Sequence, residues 1–251
     1  MHSPLITAHS GCEQTSRDSM DSVECAIALG ADVVEMDIRK APDRVLRVSH
    51  NCVSSEEYAG KPQLKEVFRL ICDKGLALNC DIKESHALYD VLDLAEAFAF
   101  GPDRLFLSGS VSPEQLARDA SITQRAGVYL NIEEILKFLS VGHLFQDHTE
   151  SRFPELMNTP WNFVRGVPLE GEVLTSVITL LKTLGVRGLN LPHGMVTPMA
   201  AERLNTAEIP FSVWTVNKPE LIEQCLRVKA ANVTTLTVES ALNCRRQIFG
   251  F

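Results

Sequence analysis

The chain has 251 residues, 45% of them apolar and 22% charged, which is enough apolar material to bury a core and too much for a disordered chain. A formal net charge of −8 and a pI near 5.4 argue against nucleic acid and anionic membrane surfaces as partners. A phosphate-bearing ligand would need an intervening cation.

From the start of the chain, Met1-His2-Ser3-Pro4 has no basic stretch leading into a long apolar run, so no signal peptide is expected. No apolar run approaches the ~20 residues needed to cross a bilayer, so no stable membrane anchor is expected either. Seven cysteines, an odd number without a Cys-x-x-Cys pair, read as reduced thiols of a cytoplasmic protein. Strand-like segments fall at residues 5–9, 32–38, 76–83, 104–107, 127–131, 188–191, 211–216 and 232–238. Helical spacing falls between most of them, at 20–29, 64–72, 87–99, 113–120, 173–184, 198–204 and 220–228. Eight strands alternating with crossover helices predict a parallel sheet, and the length matches the ~250 residues of one closed (β/α)8 TIM barrel. The competing open sheet would want Gly-x-Gly-x-x-Gly after its first strand, and none is present. Without repeats, linkers or low-complexity tracts, residues 1–251 read as a single domain.

Two stretches depart from a bare barrel. Residues 39–50 are too short for a helix. Ala41-Pro42-Asp43-Arg44 reads as a turn and residues 45–49 alternate like a strand, so a hairpin should extend the second strand and fold His50 over the barrel mouth. Residues 142–171 match no barrel element, and 163–167 within them read as a ninth strand or a loop. No large inserted domain is expected, because only a short segment separates His50 from the next helix.

Side chains alternate along a strand. Glu35 and Asp37 therefore share one face of the second strand, and Val34, Met36 and Ile38 share the other. The outer face of a barrel packs on helices, so the two carboxylates point inward. Like charges placed there repel and lose hydration unless a cation compensates. Asn79, Asp81 and Lys83 repeat the pattern on the third strand, and the first strand ends at His9. Strands one to three are neighbours in a sequentially wound barrel, so these groups converge at the C-terminal mouth, where barrel enzymes keep their sites. Oxygen donors of this kind suit a hard cation such as Mg²⁺ or Ca²⁺. His86, His143, His148 and His193 show no ligand spacing and read as surface or packing residues.

The series Ala8-His9-Ser10-Gly11, Glu35-Met36-Asp37, Val48-Ser49-His50-Asn51, Asn79-Cys80-Asp81-Ile82-Lys83 and Val213-Trp214-Thr215-Val216-Asn217 resembles the glycerophosphodiester phosphodiesterase family, in family order. The resemblance implies a TIM barrel that hydrolyses a small-molecule glycerophosphodiester to glycerol 3-phosphate and an alcohol. It implies His9 and His50 as general base and acid, and Glu35, Asp37 and Asp81 as ligands of Mg²⁺ or Ca²⁺. Lys83 would neutralise phosphoryl oxygens and Trp214 would line the glycerol side.

Five positions depart from the family pattern. Ser10 stands where an arginine is usual, and Arg17 where an acid is usual, so Arg17 is expected to restore the phosphate-binding charge missing at residue 10. Asn51 replaces an aspartate, Asp81 a glutamate, and Val238 the acid expected after Thr237. These changes keep two alternatives open: a related enzyme acting on another diester, such as a lysophospholipid, or a barrel that binds a phosphate metabolite without turning it over.

Overall fold

The computed structural model of the chain describes residues 3–140 and 166–250. Eight parallel strands close into a barrel: β1 (Leu5–Ala8), β2 (Val33–Lys40), β4 (Ala77–Ile82), β5 (Leu105–Gly109), β6 (Gly127–Asn131), β7 (Gly188–Pro192), β8 (Phe211–Trp214) and β9 (Asn232–Thr235). β1 pairs with both β2 and β9, which seals the ring. The remaining strand, β3 (Leu46–Val48), runs antiparallel to the end of β2, with Ile38 opposite Val48 and Lys40 opposite Leu46. That is the expected hairpin, and its turn is closed by Ala41 and Val45.

The register stacks the interior in layers. Val33 lies beside Ala77, Glu35 beside Asn79 and Asp37 beside Asp81. The lowest layer is apolar and combines Val33, Ala77, Phe106 and Tyr129. The middle layer is polar: Asn232 accepts from the Thr7 hydroxyl at 2.7 Å and donates to Ser212 Oγ at 2.9 Å. The top layer carries the carboxylates. Outward positions such as Ile6, Val34, Met36, Leu78, Leu107 and Val213 are fully buried against the helices, which is the larger core.

Helix starts follow local chemistry. Ser19 caps Met20–Leu29 by accepting from Ser22 N, and Gly30 ends it at φ 76°. Proline opens three further helices, Pro113–Arg118, Pro198–Thr206 and Pro219–Arg227, where its missing N–H costs nothing.

The structure revises several expectations. The segment between His50 and the helix at Leu64 holds a short helix, Ser55–Ala59, closed by a Ser54–Glu57 capping box. The helix expected over 113–120 stops at Arg118, and a second one, Ser121–Arg125, follows. Helices Ile132–Ser140 and Val238–Phe249 come in addition. β9 ends at Thr235, so Val238 does not close a strand but opens the last helix. Residues 142–165, with His143, His148 and most of the suggested ninth strand, lie outside the described residues. All seven cysteines are free thiols. Among the described residues no helix is long and apolar enough to cross a membrane.

Candidate active site

β1, β2 and β4 are adjacent in the ring, so His9, Glu35, Asp37, Asp81 and Lys83 meet at the C-terminal mouth. They line a cavity of about 830 Å³ together with Arg17, His50 and Trp214. One carboxylate oxygen from each of Glu35, Asp37 and Asp81 lies within 4.8 Å of the others. Three hard oxygen donors converging on one point fit the needs of a divalent cation.

Lys83 bridges two members of the cluster. Its Nζ is 2.6 Å from Asp37 Oδ1 and 2.7 Å from Asp81 Oδ2. Burial opposes a charge on Lys83, but Asp81 and Asp37 raise its pKa well above the ordinary value. Burial likewise pushes Asp37 up, yet Lys83, Arg17 and His50 together hold it below the usual carboxylate range. Glu35 accepts from Ser10 N at 3.2 Å and lies 4.0 Å from His9 Nε2. Burial, reinforced by Asp37 and Asp81 against the opposing pull of His9, lifts it to about 7. Burial and the neighbouring Asp37 raise Asp81 as well, against Lys83. Gly109 makes room for this arrangement: at φ +80°, a Cβ there would fall 2.1 Å from Asp81 Oδ1.

The two histidines approach the cluster from different elements. His9 Nδ1 lies 3.0 Å from the Ser10 carbonyl, which can only accept, so Nδ1 carries a proton and donates it. Nε2 stands 4.0 Å from Glu35 Oε2. His50 is fixed through its backbone: its N–H donates to Asp18 Oδ2 at 2.9 Å, and its carbonyl accepts from Arg39 Nε at 3.0 Å. Its Nδ1 lies 3.0 Å from Asp37 Oδ2. Arg17 Nη2 lies 2.9 Å from the same oxygen and 2.8 Å from His50 Nδ1. An arginine cannot accept, so either His50 and Arg17 both donate to Asp37, or Arg17 donates to a bare Nδ1.

The cavity wall includes every expected site residue except Ser10. Ser10 is 1% exposed. Its hydroxyl accepts from Asp18 N at 2.8 Å and its own N–H donates to Glu35 Oε2 at 3.2 Å. Ser10 thereby braces the turn that carries Asp18 and, through it, His50. Strand alternation ends at β1, and Gly11 at φ +87° turns the chain away. Trp214 faces the cavity with its indole N–H buried and without an acceptor among the described residues.

Sequence reading missed Glu133. It stands in the first turn of Ile132–Ser140, straight after β6, and lines the same cavity. Burial, with Asp81 and Glu134 adding repulsion, raises its carboxyl to about 7. The signal was present: Ile132, Ile135, Leu136 and Leu139 have helical spacing, which puts Glu133 beside the end of a barrel strand. Among the described residues the wall thus carries five carboxylates, Glu35, Asp37, Asp81, Glu133 and Glu134. Against them stand Arg17, Lys83 and Lys137.

The fold and site define a barrel with an acidic, cation-capable centre and two histidines at its mouth. No protein-family model and no curated protein matches the sequence. Solved structures do match the fold. A glycerophosphodiester phosphodiesterase from Parabacteroides distasonis superposes with a TM-score of 0.69 at 15% identity, covering 98% of each chain. One from Thermotoga maritima gives 0.64 at 20% identity, over 97% of this chain and 98% of that one. An Oleispira antarctica phosphodiesterase, solved with its product sn-glycerol-3-phosphate, gives 0.67 at 13% identity over 96% of each. At such identities the likeness establishes the shared barrel.

Proposed function

We propose that this protein is a glycerophosphodiester phosphodiesterase, hydrolysing a small-molecule glycerophosphodiester to glycerol 3-phosphate and an alcohol. The observation that carries the reading is the placement of His9 and His50 on either side of the Glu35–Asp37–Asp81 cluster, in a barrel shared with enzymes of that name.

The residues divide the work. His9 takes the proton of the nucleophile: a water that displaces the alcohol directly, or the substrate's own 2-hydroxyl, whose attack expels the alcohol and leaves a cyclic phosphate that a water then opens to glycerol 3-phosphate. His50 gives a proton to the leaving alkoxide oxygen, its ring aimed by Asp37. Each transfer is worth roughly 10²–10⁴-fold in rate. Glu35, Asp37 and Asp81 would hold Mg²⁺ or Ca²⁺, which supplies charge stabilisation at the phosphoryl oxygens. Lys83 and Arg17 face the same oxygens and add fixed positive charge. The free indole N–H of Trp214 is a donor for a glycerol hydroxyl. Ser10 works at one remove, by holding Asp18.

The test is release of glycerol 3-phosphate from a panel of glycerophosphodiesters with Mg²⁺, Ca²⁺ or EDTA, beside a His9→Ala control. Metal-dependent release that the control loses is the expected result. Absence of release from folded protein with every ester and metal would transfer the assignment to a non-catalytic phosphate-metabolite barrel. That second reading draws on one observation, that Lys83 and Arg17 both neutralise Asp37.

A further inference from the structure

The ring places Glu133 across the mouth from the reacting groups. β6, which leads into Glu133, is the fifth strand of an eight-strand circuit that begins at β1, so it stands opposite His9. Glu133 and Asp81 line the same cavity, and their carboxylates repel. The intervening space is the cavity itself. One oxygen of Glu133, Oε2, is buried and has no hydrogen-bond partner among the described residues. The nearest base along the helix, Lys137, is engaged elsewhere, 2.6 Å from Glu134 Oε1. A buried carboxylate oxygen without a donor is costly, and a ligand that brings a donor and a positive charge removes that cost.

We infer that Glu133 recognises a primary ammonium group on the alcohol arm of the substrate, making this a site for zwitterionic, ethanolamine-type glycerophosphodiesters. The inference rests on the phosphodiesterase reading. With the phosphoryl group at the Glu35–Asp37–Asp81 cluster and the glycerol arm along Trp214, the remaining arm crosses toward Glu133. A primary ammonium satisfies Oε2 with an N–H as well as with charge. A trimethylammonium offers charge alone, and a glycerol arm offers hydroxyl donors without charge, leaving the surplus of carboxylates uncompensated. A zwitterion also enters this acidic cavity without adding net negative charge.

The experiment is calorimetric titration of the protein, in a His9→Ala background with Mg²⁺ or Ca²⁺ present, with glycerophosphoethanolamine, glycerophosphocholine and glycerophosphoglycerol. The expected order of affinity is ethanolamine over choline over glycerol ester, the first at least about tenfold tighter than the last, as one partly shielded ion pair supports. Adding Glu133→Gln, nearly isosteric, should bring the three within about twofold of one another. Equal affinities before that change, a preference that survives it, or no detectable binding of any ester would each overturn the inference. Turnover by the unaltered protein is read separately. An ammonium preference without glycerol 3-phosphate release sinks the phosphodiesterase reading and leaves the Glu133 site standing. Release from all esters without any preference does the reverse.

Discussion

Arg17 and Glu133 are single side chains whose surroundings predict opposite behaviour. Arg17 is 45% exposed along its side chain and touches Asp37, whose charge Lys83 also neutralises. Its guanidinium is therefore available to a phosphoryl oxygen at little cost to the cluster. Arg17→Ala should raise KM for a glycerophosphodiester by about tenfold, the worth of one charged hydrogen bond, with Arg17→Lys recovering part of it. Unchanged KM in steady-state kinetics would leave Arg17 as no more than a counter-ion of Asp37. Glu133 has its effect on stability. Its carboxyl titrates at about 7 in the folded chain, against 4.5 for an ordinary glutamate. Between those two values the folded state keeps a proton that the unfolded chain has released. Unfolding free energy therefore falls as pH rises through the window, and the loss is complete above pH 7. Glu133→Gln removes this dependence. At pH 7.5 it should be more stable than the parent by roughly 1–3 kcal/mol, the ceiling set by the pKa displacement, and at pH 5 the two should converge. Urea melts at both pH values decide it; a constant offset would mean that burial does not control this carboxyl.

Among the elements, β5 and its terminal glycine hold Asp81 in place. A Cβ at Gly109 would fall 2.1 Å from Asp81 Oδ1 and 2.3 Å from the Ile82 carbonyl, on a backbone at φ +80°. Gly109→Ala should lower stability by about 1–3 kcal/mol, from strain and overlap together, and displace Asp81 from the cluster. The denaturation midpoint reports the first effect and a lost response to divalent cation the second. The barrel strands were legible in the sequence because inward Glu35 and Asp37 alternate with outward Val34, Met36 and Ile38. For the same reason the carboxylate cluster could be read from charge placed at the wrong period for packing. Helices were less visible where they lacked punctuation. Ile132–Ser140 follows β6 without a residue between, and Val238–Phe249 buries only Val238 and Ala241, so its apolar stripe is thin. Glu133 stayed hidden with the first of these.

At the level of the whole molecule, the mouth of the barrel is where charge and fold meet. Among the described residues, a chain of net charge −8 gathers five carboxylates around one cavity and sets Arg17, Lys83 and Lys137 against them. A bound dication would relieve that repulsion, and any ligand that binds only the folded state raises the unfolding free energy, by about 2.7 kcal/mol at a hundred times its Kd. Millimolar Mg²⁺ or Ca²⁺ should therefore raise Tm, and EDTA should reverse the rise. Asp81→Asn should abolish most of it, since two carboxylates make a poor site. The response should also depend on pH in a definite direction. Glu35, at about 7, is largely protonated below neutrality and must lose its proton to serve as a ligand. The metal-induced rise in Tm should then be larger at pH 8 than at pH 6, with protons released on binding in the lower range. Differential scanning calorimetry across that range, with and without the ion, measures both. If Lys83 were the permanent counter-ion of the cluster, Tm would ignore the ion at every pH and Lys83→Met would be needed to create a response. A rise that grows with pH and disappears in Asp81→Asn instead identifies the three carboxylates as the ligand set around which the whole mouth is built.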